Sequence, residues 1–394
     1  MYCGLHFRSM PFSSSYIISA RRSALGRIGG LHRNRRIADL AAPVILAALE
    51  DAGLKPRDVD ELIVGNASEG GNPARLISLA AGLPETVASH SIDRQCASGL
   101  DAIVSAVRLV EAGEADVVVA GGAEALSTAP WRVAKPKSLY QLPHFMRVEP
   151  VPDLTDDTTF EASELLPRRL GITRARQDVV AMQSHLKAEA ARSARRFVGE
   201  IVPFRANAEE VRDQSAVEPD LDDLEEMQPF APPHGTLTPG NTSSLHDGAA
   251  FVVVVSERVW RERGAPGALR LISAAAQGVG PDNDGAAPIE AMRKLYNRLN
   301  GFKREEIDVV EMSESSAAQV IALSELLDVD LSKINPHGGA IARGHPLGAA
   351  GAVLVVRLFS TLVRARERAA QKYGVATLGA IGGLGLAALF ESVP

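Results

Sequence analysis

The sequence predicts an α/β protein made of two similar halves, each a largely parallel sheet with helices on both faces. Two observations predict this fold class: strands and helices alternate along most of the chain, and the second half repeats the pattern of the first. The chain has 394 residues, of which 46% are hydrophobic, 23% charged and 5% aromatic. This composition excludes a disordered, collagen-like or coiled-coil protein. A chain of this length is expected to divide into two or three structural units.

The internal duplication has an offset near 248 residues. Residues 53–60 align with residues 301–308, and each stretch follows a predicted helix and precedes a predicted strand. Gly53 and Gly301 each stand where a helix is closed by a residue in the left-handed conformation. The predicted helices are 37–51 and 288–300, and the strands that follow them are 61–64 and 309–312.

The duplication also sets the predicted domain boundaries. We expect an N-terminal extension at 1–15, an N-terminal half made of 16–126 and 240–265, and a C-terminal half at 266–394. The stretch 127–239 differs in amino-acid composition, with many prolines and an acidic run. It is predicted to be an inserted, mostly irregular and helical domain. Within 168–196 there are eight Lys or Arg against two acids. This basic segment is either a solvated helix face or a patch for the phosphates of a ligand.

Charge and cysteine content exclude several classes of function. A net charge of −6 and scattered aromatic residues argue against a nucleic-acid partner. Two cysteines, Cys3 and Cys96, indicate a reducing compartment, no disulfide framework and no metal cluster. No run of about 18 apolar residues predicts a membrane span. The first 38 residues hold seven Arg and no acid, a bias shared with organelle-targeting peptides, but residues 16–30 read as folded sequence, so we expect a cytoplasmic protein.

Cys96 is the candidate nucleophile. It directly precedes an apolar series with helical spacing, so it is predicted to lie at a helix N-terminus. Free N–H groups and the positive end of the helix dipole favour a thiolate there, and such placements lower a cysteine pKa to a range of roughly 3.5 to 7.5. The alternative is a buried, inert cysteine. Adding the duplication offset to Cys96 leads to Gly344, next to His345, so a site between the two halves is expected.

Residues 335–348 form a loop rich in glycine and proline around two histidines, His337 and His345. Such loops let backbone approach a ligand closely. His345 can accept the thiol proton and later donate a hydrogen bond to an acyl oxygen. For His337 we expect a structural role within the loop.

From about Tyr16 to the C-terminus the sequence resembles the thiolases, coenzyme A-dependent enzymes that make or break a carbon–carbon bond between acyl groups. The resemblance implies a five-layered α-β-α-β-α core, an inserted loop domain over the coenzyme A site, and a homodimer or homotetramer. The motifs that carry it are Ser19-Ala20-Arg21-Arg22, Arg94-Gln95-Cys96-Ala97-Ser98-Gly99, Gly121-Gly122-Ala123-Glu124, Gly240-Asn241-Thr242-Ser243, Asp247-Gly248-Ala249-Ala250 and the loop 338–348.

The resemblance also implies residue roles. Cys96 would take the acyl group and His345 would activate it. Ser243, Gly383 and Arg174 would contact coenzyme A, Ser243 near the pantetheine arm and Arg174 within the basic segment that meets the adenosine phosphates. The coenzyme A thioester would be a substrate, with no tightly bound cofactor and no metal.

Two positions depart from the family pattern. Thiolases carry a second cysteine that removes a proton from the α-carbon of the incoming acyl group, and Gly379, or Ala380 if the register slips, stands at its place. The family's asparagine that fixes a water in the oxyanion site is replaced by Ser313. Glu314 is a candidate substitute base, although a capping role at a helix start fits it equally.

The resulting prediction is a thiolase-like acyltransferase that loads an acyl group from acyl-CoA onto Cys96 and transfers it to an acceptor, with an altered carbon–carbon step. The transfer would form a carbon–carbon bond or cleave a 3-ketoacyl-CoA by thiolysis. A closely related alternative is a working ketoacyl thiolase with a replacement base. An alternative of another class is a non-catalytic subunit that binds acyl-CoA or stabilises a partner.

Overall fold

The computed structural model describes residues 14–138, 140–146, 161–204, 211–214, 220–365 and 371–394. Most of the predicted extension, including Cys3, and parts of the insert therefore lie outside the described residues. The first half contains β1 (Ser15–Arg22), β2 (Gly26–Arg27), α1 (Ile37–Asp51), β3 (Glu61–Gly65), α2 (Pro73–Ala80), β4 (Ala88–Ile92), α3 (Ser98–Glu111) and β5 (Val117–Glu124). There follow α4 (Leu165–Leu170), α5 (Arg174–Ser193), α6 (Leu221–Glu226), β6 (His246–Ser256) and α7 (Glu257–Glu262). The second half contains β7 (Ala268–Gly278), α8 (Ala287–Arg298), β8 (Ile307–Met312), α9 (Ala317–Leu327), α10 (Ala340–Arg343), α11 (Leu347–Phe359), β9 (Tyr373–Ala380) and β10 (Leu384–Val393).

The predicted duplication is present in the order of the strands. The main sheet runs β4-β3-β5-β6-β1-β7-β10-β9-β8. β1 and β7 meet at the centre through the pair Ile17 and Leu269. Outward from this seam, β6, β5 and β3 of the first half correspond to β10, β9 and β8 of the second. The predicted cap at Gly53 is confirmed, because this residue has a φ of 65° and directly follows the C-cap of α1. Gly301 also has a positive φ, 78°, but it lies in a turn three residues after α8 ends at Arg298.

The prediction of a largely parallel sheet is wrong. β3 pairs in parallel with β4 and β5, and β8 pairs in parallel with β9. β6 and β10, the strands that complete each half, are antiparallel to both of their neighbours. β10 follows β9 through a three-residue hairpin loop, and so short a connection can only join antiparallel strands.

Three apolar clusters give the fold its layers. One lies between the outer helices α1 and α2 and the first half-sheet. A second surrounds α3 and α11, which lie between the two half-sheets. The third lies between the second half-sheet and the outer helices α8 and α9. The arrangement is therefore α-β-α-β-α. The central helix, from Leu347 to Arg364, has the length and apolar character of a membrane span, but 83% of that window is buried inside the fold.

Glycines bring the N-termini of the two central helices together. A Cβ atom on Gly99 would lie 2.7 Å from the carbonyl oxygen of Gly348, and one on Gly351 would lie 2.6 Å from the amide nitrogen of Leu100. Backbone approach at this distance leaves no room for a side chain. Gly99 follows Cys96 by three residues, and Gly348 follows His345 by three. The crossing of α3 and α11 therefore places both candidate residues at the seam between the halves.

Candidate active site

Cys96 lies just before α3, and only 6% of it is exposed. Gln95 adopts a φ of 52°, a left-handed conformation that turns the chain sharply into the helix. The main-chain N–H groups of Ile381 and of Cys96 itself act on the sulfur and favour its charged form. Ile381 lies in the hairpin loop between β9 and β10. The second half of the chain thus contributes an N–H group to the surroundings of the candidate nucleophile in the first half.

The expected lowering of the Cys96 pKa is wrong. Burial raises the pKa of this thiol to about 12, the two N–H donors oppose the rise, and the negative charges of Asp284 and Glu124 add to it. The free-energy cost of removing a thiolate from water exceeds the stabilisation that the helix N-terminus and the two N–H groups give it. In the unliganded protein the thiol is therefore neutral at pH 7.

His345 is also buried, at 6% exposure. Its main chain is held by the segment before β6, because its N–H donates to Ser244 at 2.9 Å and its carbonyl accepts from His246 at 3.0 Å. Burial, with a smaller contribution from His246, lowers the pKa of His345 to about 4. The imidazole is therefore neutral at pH 7 and can accept a proton.

Ser313 positions the His345 ring. Its hydroxyl lies 3.1 Å from Nδ1 of His345. When Nδ1–H donates to Ser313, Nε2 carries the lone pair, and no described residue contacts that nitrogen by a hydrogen bond. Ser313 itself is fixed to β9 by its N–H, which donates to the carbonyl of Thr377 at 3.1 Å. The serine at this position thus orients the imidazole directly.

The carboxylate of Glu314 is occupied by the protein. It accepts hydrogen bonds from Ser184 at 2.7 Å, Asn335 at 2.8 Å and the N–H of Ile341 at 3.1 Å. These contacts anchor the histidine loop to α5. The geometry therefore gives Glu314 an anchoring position, and its role as a base stays a prediction. His337 lies in the same loop, where its Nδ1 is 2.9 Å from Nη2 of Arg357.

The three residues predicted to contact coenzyme A lie in different settings. The N–H of Ser243 donates to the carbonyl of Ser315 at 3.2 Å, next to the site. Gly383 forms the β9–β10 hairpin with a φ of 77°. Arg174 pairs with Asp178 at 2.6 Å and donates to main-chain carbonyls around the end of α6. Its guanidinium therefore holds α6 against α5, and its contact with a phosphate stays a prediction.

Gly379 lies on β9 close to α8 and α9. A Cβ atom there would meet Pro288 Cδ at 3.2 Å and Gln319 Nε2 at 3.5 Å. Neither Gly379 nor its neighbour Ala380 carries a group that can move a proton.

Sequence reasoning missed three contributors to this site. The N–H of Ile381 carries no signal in a side-chain pattern. Glu124 belongs to a recognised motif, but its role is visible only in space: it accepts from the N–H of Ala67 at 3.1 Å and of Gly348 at 2.9 Å, and so joins β5 to the start of α11. Asp284 lies in a loop far from Cys96 in sequence. Among the described residues there is no group of three or more His, Cys, Asp or Glu that could hold a metal ion.

The candidate site therefore combines a buried thiol in the first half of the chain with a buried, neutral imidazole in the second half. The family model described as the thiolase N-terminal domain matches residues 15–258, and the one described as the thiolase C-terminal domain matches residues 267–392. The chain belongs to the thiolase family.

Named relatives of this chain are also enzymes of the thiolase type. An acetyl-CoA acetyltransferase of Cupriavidus necator is 37% identical over 394 residues, covering 95% of this chain and 98% of the relative. One from Escherichia coli is 36% identical over 396 residues, covering 95% and 98%. The crystal structure of the Bacillus anthracis acetyl-CoA acetyltransferase superimposes with a TM-score of 0.88 at 32% identity, covering 98% of this chain and all of the other. The protein is thus an acyltransferase of the thiolase type with coenzyme A thioesters as its substrate class, and a non-catalytic role is not favoured.

Proposed function

We propose that Cys96 takes an acyl group from acyl-CoA and passes it to a second acyl unit, forming a carbon–carbon bond or, in reverse, cleaving a 3-ketoacyl-CoA. The observation that carries this proposal is a buried thiol at the start of α3 whose charged form is favoured by the main-chain N–H groups of Cys96 and Ile381. Once the sulfur is acylated, the acyl oxygen lies next to these donors. They then stabilise the negative charge that develops on that oxygen, and such a donor contributes about 3 to 4 kcal/mol to lowering a barrier.

The protonation states set the order of events. With pKa values of about 12 for Cys96 and about 4 for His345, the thiol and the imidazole are both neutral at rest. A free thiolate is scarce, so the proton must leave the sulfur as the sulfur attacks the thioester carbonyl. Nε2 of His345 is the acceptor in the tautomer whose Nδ1–H donates to the hydroxyl of Ser313. The proton then leaves with the sulfur of coenzyme A.

Ser243, Gly383 and Arg174 are the residues we propose for coenzyme A contact, and we propose that the protein acts in the cytoplasm as a homodimer or homotetramer. An exposed apolar segment supports the assembly: Trp131, Tyr140, Leu142 and Phe145 lie within sixteen residues and are 69–97% exposed. A patch of this kind marks an interaction surface in a folded protein. Light scattering tests this proposal, and a monomeric mass would contradict it.

Acyl-enzyme formation tests the catalytic proposal. The full-length protein is mixed with acetyl-CoA, quenched in acid and measured by intact-mass spectrometry. One acetyl adduct is expected, lost in Cys96→Ser and kept in the matched control Cys3→Ser, since these are the chain's two cysteines. An adduct that survives in Cys96→Ser, or no adduct with acetyl-CoA or longer acyl-CoA donors, would overturn the proposal.

A further inference from the structure

Joining two acyl groups through carbon needs a base beside Cys96. The α-proton of a thioester is weakly acidic, and a placed acid or base contributes about 10² to 10⁴-fold to such a proton transfer. Two carboxylates act on the Cys96 sulfur through their charge, Asp284 and, with less effect, Glu124. These two groups are therefore the carboxylate candidates for the base.

Glu124 is already committed to the fold. Besides the N–H groups of Ala67 and Gly348, its carboxylate accepts from Nδ2 of Asn66 at 2.9 Å. These bonds tie the loop after β3 to the N-terminus of α11. Because both of its oxygens are occupied by these contacts, the carboxylate of Glu124 is poorly placed to reach a substrate proton.

Asp284 comes from a segment that lies over the hairpin of the active site. Its 3₁₀ turn, Pro281–Ala286, leads into α8. Gly379 and Gly385 pair across the β9–β10 hairpin. A Cβ on Gly385 would be 2.0 Å from the carbonyl oxygen of Ala287, and one on Gly379 would be 3.2 Å from Pro288. The same hairpin carries the N–H of Ile381 to the sulfur. The segment 284–288 therefore packs against the same hairpin whose loop carries Ile381.

A hydrogen bond from α9 also holds this 3₁₀ turn. Nε2 of Gln319, at the start of α9, donates to the carbonyl oxygen of Gly285 at 3.0 Å. The same amide nitrogen lies 3.5 Å from the Cβ position of Gly379. Asp284 is thus next in sequence to a residue that is fixed beside Gly379.

The carboxylate of Asp284 is free. Within the described ranges it has no hydrogen-bond or ion-pair partner, and the nearby cation Arg169 is directed at its neighbours instead, with Asn283 at 3.1 Å and Asp282 at 3.9 Å. Burial raises the pKa of Asp284 to about 6. The group is therefore mostly ionised at pH 7 and is a stronger base than an exposed aspartate.

We propose, building on the acyl-transfer function above, that Asp284 is the general base that removes the α-proton of the attacking acyl-CoA. The resulting carbanion attacks the carbonyl carbon of acyl-Cys96, and the bond from that carbon to Sγ breaks with its electron pair on sulfur. The proton held by Asp284 then passes to the sulfur, which regenerates the thiol. Thiolysis runs the same steps in reverse, with Asp284 returning a proton to the α-carbon.

Two half-reactions of the full-length protein separate this role from the acyl-loading step. Acetylation of Cys96 by acetyl-CoA needs no α-proton transfer and is followed by intact mass. Exchange of the acetyl-CoA methyl protons in D₂O needs the base and is followed by mass spectrometry of the recovered thioester. The variant is Asp284→Asn, with Asp284→Ser as a second variant should the first fail to fold. The matched control is Asp282→Asn, two residues away on the same turn, whose side chain is 70% exposed.

We expect Asp284→Asn to be acetylated like the wild type but to exchange methyl protons at least about 100-fold more slowly, while Asp282→Asn matches the wild type in both. Wild-type exchange should also slow below about pH 6, the pKa of Asp284. Unchanged exchange in the Asp284 variants, loss of acetylation in a folded variant, or wild-type exchange without this acid limb would each overturn the proposal. A wild type that is never acetylated instead refutes the acyl-transfer function itself, and the assignment of Asp284 with it.

Discussion

Replacing Gly122 by alanine should displace the start of α11 and slow acyl transfer. The new Cβ would lie 2.3 Å from the carbonyl oxygen of Gly348 and 2.7 Å from Cα of Ala349, both backbone atoms. Real Cβ contacts essentially never fall under 3.0 Å, so the helix must move by at least about 0.7 Å. Overpacking of this kind costs about 1–3 kcal/mol of stability. Since His345 precedes Gly348 by only three residues, we expect it to move as well. A misplacement near 1 Å costs about 100-fold in rate.

The control is Gly278→Ala, since a Cβ on Gly278 has no atom within 4 Å. The assays are urea unfolding and the rate of Cys96 acetylation by acetyl-CoA. Gly122→Ala is expected to lose both stability and rate, and Gly278→Ala neither. If Gly122→Ala lost stability but acetylated at the wild-type rate, the start of α11 would not position His345, and the coupling inferred from the helix crossing would be refuted.

Three further results are expected. The free energy of unfolding should fall by about 3 kcal/mol as the pH drops from 6.5 toward 4, because burial lowers the pKa of His345 and the unfolded chain takes up this proton first. In urea titrations His345→Asn should lose that part of the pH dependence. An equally steep decline in this variant would contradict the prediction. Glu200→Gln should cost about 3–5 kcal/mol in urea unfolding at pH 7, because it removes the carboxylate paired with buried Arg357 and one of the two carboxylates paired with buried Arg22, which keeps Asp213. Glu325→Gln, from an exposed pair, should cost less than about 1 kcal/mol. Similar losses in the two variants would refute this account. In a Cys3→Ser background, the rate at which iodoacetamide alkylates Cys96 should still rise above pH 9.0, the ordinary pKa of a thiol, because burial raises the pKa of Cys96 to about 12. A rate that levels off near neutral pH would show a thiolate and contradict this prediction.

The elements around the site were predictable where the signal is local. The helix that begins after Cys96 and the glycine cap at Gly53 follow from apolar spacing and from a residue suited to a left-handed conformation. The placement of Cys96 and His345 just before two central helices that cross followed from the duplication. The direction of the strands did not, because β10 follows β9 through a hairpin and β6 follows the long insert, and alternation along the chain does not reveal this.

The chemistry of individual groups was less predictable. The helix end at Cys96 indicated a lowered pKa, yet burial outweighs it. The position of Glu314 in a motif made it a candidate base, but its carboxylate accepts hydrogen bonds from three donors. Asp284 had no motif at all, and only the packing of its turn on the β9–β10 hairpin brings its charge to the sulfur.

The sequence by itself determined the duplicated architecture and pointed to Cys96 and His345 as the candidate pair, because periodicity, turn residues and a repeat can be read along the chain. Only the tertiary structure decided the protonation states of Cys96 and His345 and which nearby carboxylate is free. Desolvation and hydrogen bonding depend on every segment packed around a group, and those segments come from parts of the chain that are distant in sequence.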